Sequence, residues 1–140
     1  MEEELKQLEL LVLEKEMDKV KIQKLMNEII NSQLKGLKIE NYIGDYPTFM
    51  EPVILGDNVK IGDDVLLGPR IYIGTNSEIE DYVEISNSII FDNAKIGENI
   101  RLDNCVVVKG SKLNFSNFFA KDCILKGTAN SQSDLEIIPL

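Results

Sequence analysis

Apolar residues recur at steps of three and four in the first 36 positions of the chain, with Glu and Lys filling most of the positions between them. This spacing is typical of an amphipathic α-helix. The apolar positions that we expect to contact a partner are Leu5, Leu8, Val12, Met17, Ile22, Leu25 and Ile29. No Gly or Pro precedes Gly36, which lies where a C-terminal helix cap is expected. The pattern predicts a helical arm over residues 1–36.

A different period governs the chain from residue 51 to residue 127. An aliphatic residue returns every six positions, and a smaller apolar residue lies two positions before it. Residues two apart point to the same side of a strand, so we expect these pairs to face an interior. The predicted interior pairs are Val59/Ile61, Val65/Leu67, Ile71/Ile73, Val83/Ile85, Ala94/Ile96, Ile100/Leu102 and Val106/Val108.

Corners are predicted between these short strands. Gly follows many of the pairs, at Gly56, Gly62, Gly68, Gly74 and Gly97, where we expect a positive φ. Asp and Asn follow the glycines, and both tolerate left-handed backbone. The six-residue cassette Glu51–Gly56 returns at Pro69, Asn87, Asn104 and Asp122, after 18, 18, 17 and 18 residues. Three strands and three corners therefore close one coil, and a mainly β protein with a parallel β-helix of about five coils is predicted over residues 37–127.

The remaining residues, 128–140, begin with a polar, turn-rich stretch and end with a short apolar one. We expect a tail that caps the last coil. Three aromatic residues near it, Phe115, Phe118 and Phe119, interrupt the six-residue pattern. They either fill the core of that coil or form an exposed docking patch.

The six-residue pattern resembles the hexapeptide repeat of left-handed parallel β-helices, and the left hand is implied by this resemblance alone. The segments 56–69 and 85–97 are similar to the C-terminal β-helix of sugar-phosphate nucleotidylyltransferases. The resemblance covers about residues 51–127. The chain has neither the Gly-rich pyrophosphorylase signature nor the nucleotide-binding domain of those enzymes. It resembles their oligomerising or regulatory half without the catalytic half.

The helical arm has two possible arrangements. A single helix of 35 residues is about 50 Å long, whereas five coils at the spacing of β-strands stand about 24 Å tall. A straight helix would therefore extend past the coils and pair with a helix of another chain, as in a coiled coil. Alternatively, Asp18 caps a second helix, which gives a hairpin of residues 2–16 and 19–35. The apolar stripe packs either on the chain's own β-helix or on another chain.

Charge excludes several classes of partner. The chain carries 24 acidic against 15 basic residues, a net charge of −9, without a basic stripe. We expect no binding to nucleic acid and none to an anionic membrane surface. No apolar run reaches the roughly 20 residues of a spanning helix, and the sequence starts with Met-Glu-Glu-Glu, unlike a signal peptide. A cytoplasmic location is predicted.

Few residues suggest chemistry. The sequence contains no histidine, so the histidine base of the acyltransferases built on this scaffold and the zinc ligands of its carbonic anhydrases are missing. Asp63, Asp81 and Glu98 fall on one predicted edge, which is either a solvated corner or a cation site. Arg70 lies at a corner, as a surface residue or an anion contact.

The two cysteines, Cys105 and Cys123, occupy equivalent places in successive repeats. They are either small interior residues or a disulfide bridge between neighbouring coils. We predict no cofactor, no metal and no catalytic residue.

Two functional hypotheses follow. The first is a non-catalytic assembly or regulatory module that forms homo-oligomers, or binds a sugar-nucleotide enzyme subunit, through its N-terminal helix. The alternative is an enzyme, a transferase that uses an acyl-CoA donor and works by positioning its substrates without a histidine base. The missing histidine favours the first hypothesis.

Overall fold

The N-terminal arm is a helical hairpin in the computed structural model, which describes residues 1–39 and 41–140. Helix α1 spans Glu2–Leu11, and helix α2 spans Lys19–Glu28 and continues into a π-helical turn at Ile29–Gln33. Asp18 is the N-cap of α2, and its carboxylate accepts a hydrogen bond from the Lys21 amide at 3.1 Å. The structure thus has the hairpin and not the single long helix. Both helices end before the predicted residues 16 and 35.

Fifteen short strands follow the hairpin, and residue 40, inside the predicted 37–127 unit, lies outside the described residues. The strands are β1 Leu37–Lys38, β2 Thr48–Phe49, β3 Val53–Leu55, β4 Lys60–Ile61, β5 Leu66–Leu67, β6 Ile71–Ile73, β7 Glu78–Ile79, β8 Glu84–Ser86, β9 Ser88–Ile90, β10 Lys95–Ile96, β11 Ile100–Val107, β12 Lys112–Leu113, β13 Phe118–Lys126, β14 Thr128–Ala129 and β15 Glu136–Pro139.

The strands β1 to β14 wind into a parallel β-solenoid with three faces. The first face contains β1, β3, β6, β9 and the second halves of β11 and β13. The second face contains β2, β5, β8 and the first halves of β11 and β13. The third face contains β4, β7, β10, β12 and β14. Every pairing among these strands is parallel, which confirms the predicted β-helix of about five coils.

The register between coils differs from the predicted one at a single step. Val53 pairs with Ile71, 18 residues on, but Ile71 pairs with Ser88 after 17 residues. The predicted interval of 18 at this step was therefore wrong by one. A shift of one residue turns every side chain of a strand to the other surface of the sheet. Ile89 consequently points outward, while Ser88 and Ile90 point into the solenoid.

Most of the predicted interior pairs line the core inside the solenoid, but Val106/Val108 do not. These two side chains are buried on the outside of the first face, beneath the helices, and Cys105 and Val107 occupy the interior instead. The inward residues Cys105 and Val107 alternate along the chain with the outward residues Val106 and Val108, and all four are apolar. The sequence pattern therefore did not distinguish the inward positions from the outward ones.

The corner glycines also have a role that differs from the predicted one. Of the five, only Gly68 has a positive φ, and the left-handed residue of each corner is usually an Asn or Asp such as Asn58, Asp64 or Asn76. Gly62 is needed for space, because a Cβ there would lie 2.8 Å from the backbone nitrogen of Asp81 in the next coil. The Asp81 carboxylate accepts a hydrogen bond from the Asp63 amide at 2.8 Å. Glycine therefore lets successive corners stack closely.

The two ends of the solenoid are built differently. At the C-terminal end, β15 pairs antiparallel with β13 along the first face, and Leu135 is buried in the interior core. At the N-terminal end, the pairings among the described residues join β1 to β3 alone and β2 to β5 alone. Exposed apolar side chains concentrate in this first coil, at Leu37, Ile43, Tyr46 and Met50.

Neither described helix is both long enough and apolar enough to cross a membrane. The helices have ten residues each, below the roughly 12–15 at which an isolated helix becomes even marginally stable in water. Their formation therefore depends on packing against the solenoid.

Candidate interaction surface

A column of apolar side chains runs along the outside of the first face. Ile54, Tyr72, Ile89, Val106 and Ile124 occupy paired positions in successive coils. Burying one large apolar side chain stabilises a fold by about 1.5–3 kcal/mol, so an uncovered column would be costly. The column requires a cover.

The hairpin provides this cover with the apolar stripe predicted from the sequence. Five of the seven named residues, Leu5, Leu8, Val12, Ile22 and Ile29, are buried in one cluster with the column. Met17 and Leu25 are half-buried at the margin of the same cluster. The structure therefore brings all seven together, in or at the margin of the cluster between the hairpin and the chain's own solenoid.

The contact between the hairpin and the solenoid also affects the pKa of Tyr72, a residue of the column. Burial raises the pKa of its phenol, and the negative charges of Asp92, Glu9 and Glu2 add to the effect. The hairpin therefore favours the neutral phenol. Glu9 also forms an ion pair with Lys109 of the solenoid, with 3.8 Å between Nζ and Oε1.

The outer side of the hairpin carries a groove between the two helices. Its volume is about 560 Å³, and its floor is formed by Leu10, Leu11 and Leu25. Leu10 is 66% exposed, and Val20 at the start of α2 is 78% exposed. Leu10 and Val20 lie outside the cluster under the hairpin, whereas Leu11 and Leu25 are half-buried at its margin, so the groove presents an apolar surface that is partly open to solvent.

Charged residues surround this groove. Glu14 lies near the end of α1, and Lys21, Lys24 and Glu28 lie along α2. Within residues 1–39 and 41–140, the ion pairs join other residues, and none joins these four. The groove therefore combines an apolar floor with a charged rim whose members are free to pair with a bound molecule.

The polar residues singled out in the sequence form ladders between coils. The Nε of Arg70 donates to Asn87 Oδ1 at 2.6 Å, and Asn87 Nδ2 donates to Asp103 Oδ1 at 2.9 Å. These contacts connect corners of three consecutive coils. They give Arg70 a structural partner inside the chain.

The carboxylates of the predicted edge lie in similar positions, but they do not assemble into a metal centre. Asp81 bonds the Asp63 amide, and the Glu98 carbonyl accepts a hydrogen bond from the Asn117 amide. No group of three metal-ligating side chains comes together in the described part of the chain. The edge has the geometry of a stacked corner.

Cys105 and Cys123 are register partners in the interior, with 3.7 Å between their sulfur atoms. Both are free thiols. The hydrogen bond with Cys123, together with burial, raises the pKa of the Cys105 thiol. A protonated, buried thiol is a poor nucleophile, so the pair fills space in the core.

The three aromatic residues near the last coil do not share one role: some fill the core and one is exposed, which were the two predicted alternatives. Phe115 and Phe118 pack edge to face with 5.4 Å between ring centroids, and Phe118 is buried. Phe119 points outward from the second face and is 58% exposed. Core filling therefore holds for two of the three.

The solenoid geometry agrees with the comparison to protein families. The family model described as the GMPPB C-terminal domain matches residues 49–137, well over half of the chain. The chain belongs to this family. The predicted relation to the β-helix domain of sugar-phosphate nucleotidylyltransferases is thereby confirmed. No curated protein and no solved structure matches the chain.

Of the three leucines on the groove floor, Leu25 was among the predicted contact residues, but Leu10 and Leu11 were not, although the sequence contains a signal for them. Leu10 to Leu13 is a run of four apolar residues, which covers more than one side of a helix. A helix with two apolar sides needs two neighbours. The solenoid is one neighbour, and the groove marks the place of a second.

Proposed function

We propose that this protein is a non-catalytic assembly or regulatory module of the cytoplasm, which binds its partner through the N-terminal hairpin. The partner is a second copy of the chain or a subunit of a sugar-nucleotide enzyme. The observation that carries the proposal is the apolar groove with its unpaired charged rim on the outer side of α1 and α2. Family membership supports a link to sugar-nucleotide enzymes.

The contact residues of this proposal share only Leu25 with the predicted stripe. Leu5, Leu8 and Ile22 stabilise the hairpin against the solenoid, which orients the groove outward. The partner then contacts Leu10, Leu11 and Leu25. A rigid solenoid behind the hairpin reduces the entropy that binding must overcome, because the surface is already ordered.

A binding experiment with matched variants tests the proposal. Tagged wild-type chain, a Leu10→Lys variant and a Leu66→Lys variant are compared in two assays. Light scattering of each protein on its own measures self-association, and mixing each protein with purified sugar nucleotidylyltransferase measures binding to that enzyme. Leu10 lies in the groove, whereas Leu66 lies on the second face of the solenoid. We expect Leu10→Lys to lose association and Leu66→Lys to keep it. Association that is absent in the wild type, or that is equal in all three proteins, contradicts the proposal.

The transferase alternative predicts a different result. Incubation with acetyl-coenzyme A and a panel of amino sugars would yield a thioester-dependent product if the alternative is correct. The missing histidine and the lack of a metal-ligating cluster among the residues the structure describes support the non-catalytic proposal. Product formation above background would overturn it.

A further inference from the structure

The two helices of the hairpin carry opposite net charges. Helix α1 contains four acidic residues and one basic residue, which gives −3, and α2 contains three basic residues and one acidic residue, which gives +2. The acidic residues of α1 are Glu2, Glu3, Glu4 and Glu9, and the basic residues of α2 are Lys19, Lys21 and Lys24. Of these residues, Lys21 and Lys24 line the groove, whereas Glu9 pairs with Lys109 of the solenoid and Glu4 with the N-terminal amine.

The rim of the groove carries charges of both signs, Glu14 and Glu28 against Lys21 and Lys24. Glu14, just beyond α1, and Lys21, in the first turn of α2, lie at the same end of the groove because the helices run antiparallel. Neither belongs to an ion pair within residues 1–39 and 41–140. Both are exposed. Each is therefore available to a residue of opposite charge on another molecule.

We propose that the groove binds a second copy of this chain, so that two hairpins pack face to face as a four-helix bundle. This inference rests on the proposed function, because it names the partner of the same surface. A two-fold axis along the groove places α1 of each copy over α2 of the other, running antiparallel. The operation brings Lys21 of each copy opposite Glu14 of the other, so two equivalent ion pairs form.

The apolar floor closes in the same arrangement. Leu10, Leu11 and Leu25 of one copy face the same residues of the other, and the three leucines lose water on both sides. Helices of ten residues are about 15 Å long, and two lie about 20 Å wide, which gives about 300 Å² on each copy. A stable interface buries about 800 Å² on each partner. The dimer is therefore weak and concentration-dependent.

Reversing the charge of Glu14 or of Lys21 tests whether a second copy of the chain occupies the groove. Sedimentation equilibrium from about 10 µM to about 1 mM is measured for wild type, Glu14→Lys and Lys21→Glu. The salt concentration is about 0.15 M, at which long-range repulsion between two chains of net charge −9 is screened more strongly than a contact ion pair. Each variant alone would place like charges opposite each other twice, so we expect at least a fivefold weaker association. An equimolar mixture of the two variants restores two pairs of opposite charge, so its association should return to the wild-type value.

Control variants carry the same charge changes on the solenoid. Glu98→Lys and Lys60→Glu lie at exposed positions away from the hairpin, and neither should change the association constant. Circular dichroism checks that all variants are folded. A monomeric wild type at every concentration, or a mixture that fails to recover, overturns the second copy as the occupant.

The outcomes separate this inference from the proposed function. If the wild type stays monomeric but binds a sugar nucleotidylyltransferase, and Leu10→Lys abolishes that binding, the groove is an assembly surface with another occupant. If Leu10→Lys changes neither binding nor self-association, both proposals fail.

Discussion

The first and second faces of the solenoid have the same inward pattern and different outward chemistry. Their inner side chains are mostly apolar in both cases and merge in one core. Along the outside, the first face shows an uninterrupted apolar row that includes Tyr72, Ile89 and Val106. On the second face, the charged residues Glu84 and Arg101 lie between Leu66 and Phe119. The first face is covered by the hairpin, and the second is open. The outward residues, and not the six-residue period, therefore decide which face receives the helices.

The third face carries charged residues at its outward positions. Lys60, Glu78, Lys95 and Lys112 occupy its outward positions in successive coils. Charged side chains at these positions keep their water when the face stays open, so no cover is needed. A three-sided solenoid can thus reserve one face for a permanent intramolecular partner while the other two remain solvated.

The largest expected effect comes from removing the cover. Deleting residues 1–36 exposes Ile89, Val106 and Ile124 together, and an apolar patch of this kind promotes aggregation. We expect the truncated protein to aggregate instead of forming a smaller soluble particle, as measured by light scattering.

A matched variant of the same truncation checks the cause. Replacing Ile89, Val106 and Ile124 by Thr, a residue that favours strands and tolerates water, should restore solubility. Aggregation that persists in this variant would show that the solenoid needs the hairpin for a reason other than the apolar column.

The next largest effect compares one charged residue on the two faces. Ile89→Lys places an ammonium group in the buried cluster under the helices, where a charge without a partner is strongly destabilising. Leu66→Lys places the same group on the open second face, where Leu66 is half-buried and the ammonium group can reach water. Chemical denaturation should show unfolding of Ile89→Lys at much lower denaturant and a clearly smaller loss for Leu66→Lys. Similar losses of stability in both variants would contradict the proposed difference between the two faces.

A smaller effect separates the two sides of helix α2. Ile22 is fully buried against the solenoid, so Ile22→Ala should lower the free energy of unfolding by about 2–4 kcal/mol. Val20 on the same helix is mostly exposed, and Val20→Ala should change stability by less than about 0.5 kcal/mol. Equal effects, measured by urea denaturation, would mean that α2 is not docked as the structure shows.

The cap of the second helix contributes less. Asp18→Ala removes the hydrogen bond to the Lys21 amide and should cost about 1 kcal/mol. Asp18→Asn retains an acceptor and should cost only a few tenths of a kcal/mol. If thermal unfolding gives the same melting temperature for both variants, the cap does not help to start α2.

The smallest effect is confined to alkaline pH. The pKa of Tyr72 is raised in the folded state by burial and by Asp92, Glu9 and Glu2. An acid with a raised folded pKa stabilises the fold below its unfolded pKa, which is about 10 for tyrosine, and that stability is lost as the pH rises through the folded pKa. Stability should therefore fall more steeply above pH 10 in wild type than in Tyr72→Phe. Parallel curves for the two proteins would contradict the role of this phenol.

Sequence reasoning reached the coil architecture but not the second buried surface. The paired aliphatics two residues apart predicted the interior correctly at Val59/Ile61 and Ile71/Ile73, because each points inward in a strand. The uninterrupted run Val53–Leu55 on the first face is apolar on both sides, which is typical of a strand buried on both faces. This run marks the face that needs a cover. The prediction used the run only as a repeat unit, so it included neither the cover nor the groove on the outer side of that cover.

The six-residue period alone was enough to predict the solenoid, because three strands and three corners recur along the chain and each repeat requires neighbours of the same kind. The three- and four-residue spacing likewise predicted helices within the first 36 residues. Packing between distant parts of the chain selected the hairpin with Asp18 at the start of α2, since the stripe Leu5, Leu8 and Val12 gains stability from the column on the first face. The apolar pattern indicated which side of each helix is buried. Whether that side contacts the chain's own solenoid or another chain depends on a surface built from distant residues, and no local pattern contains that information.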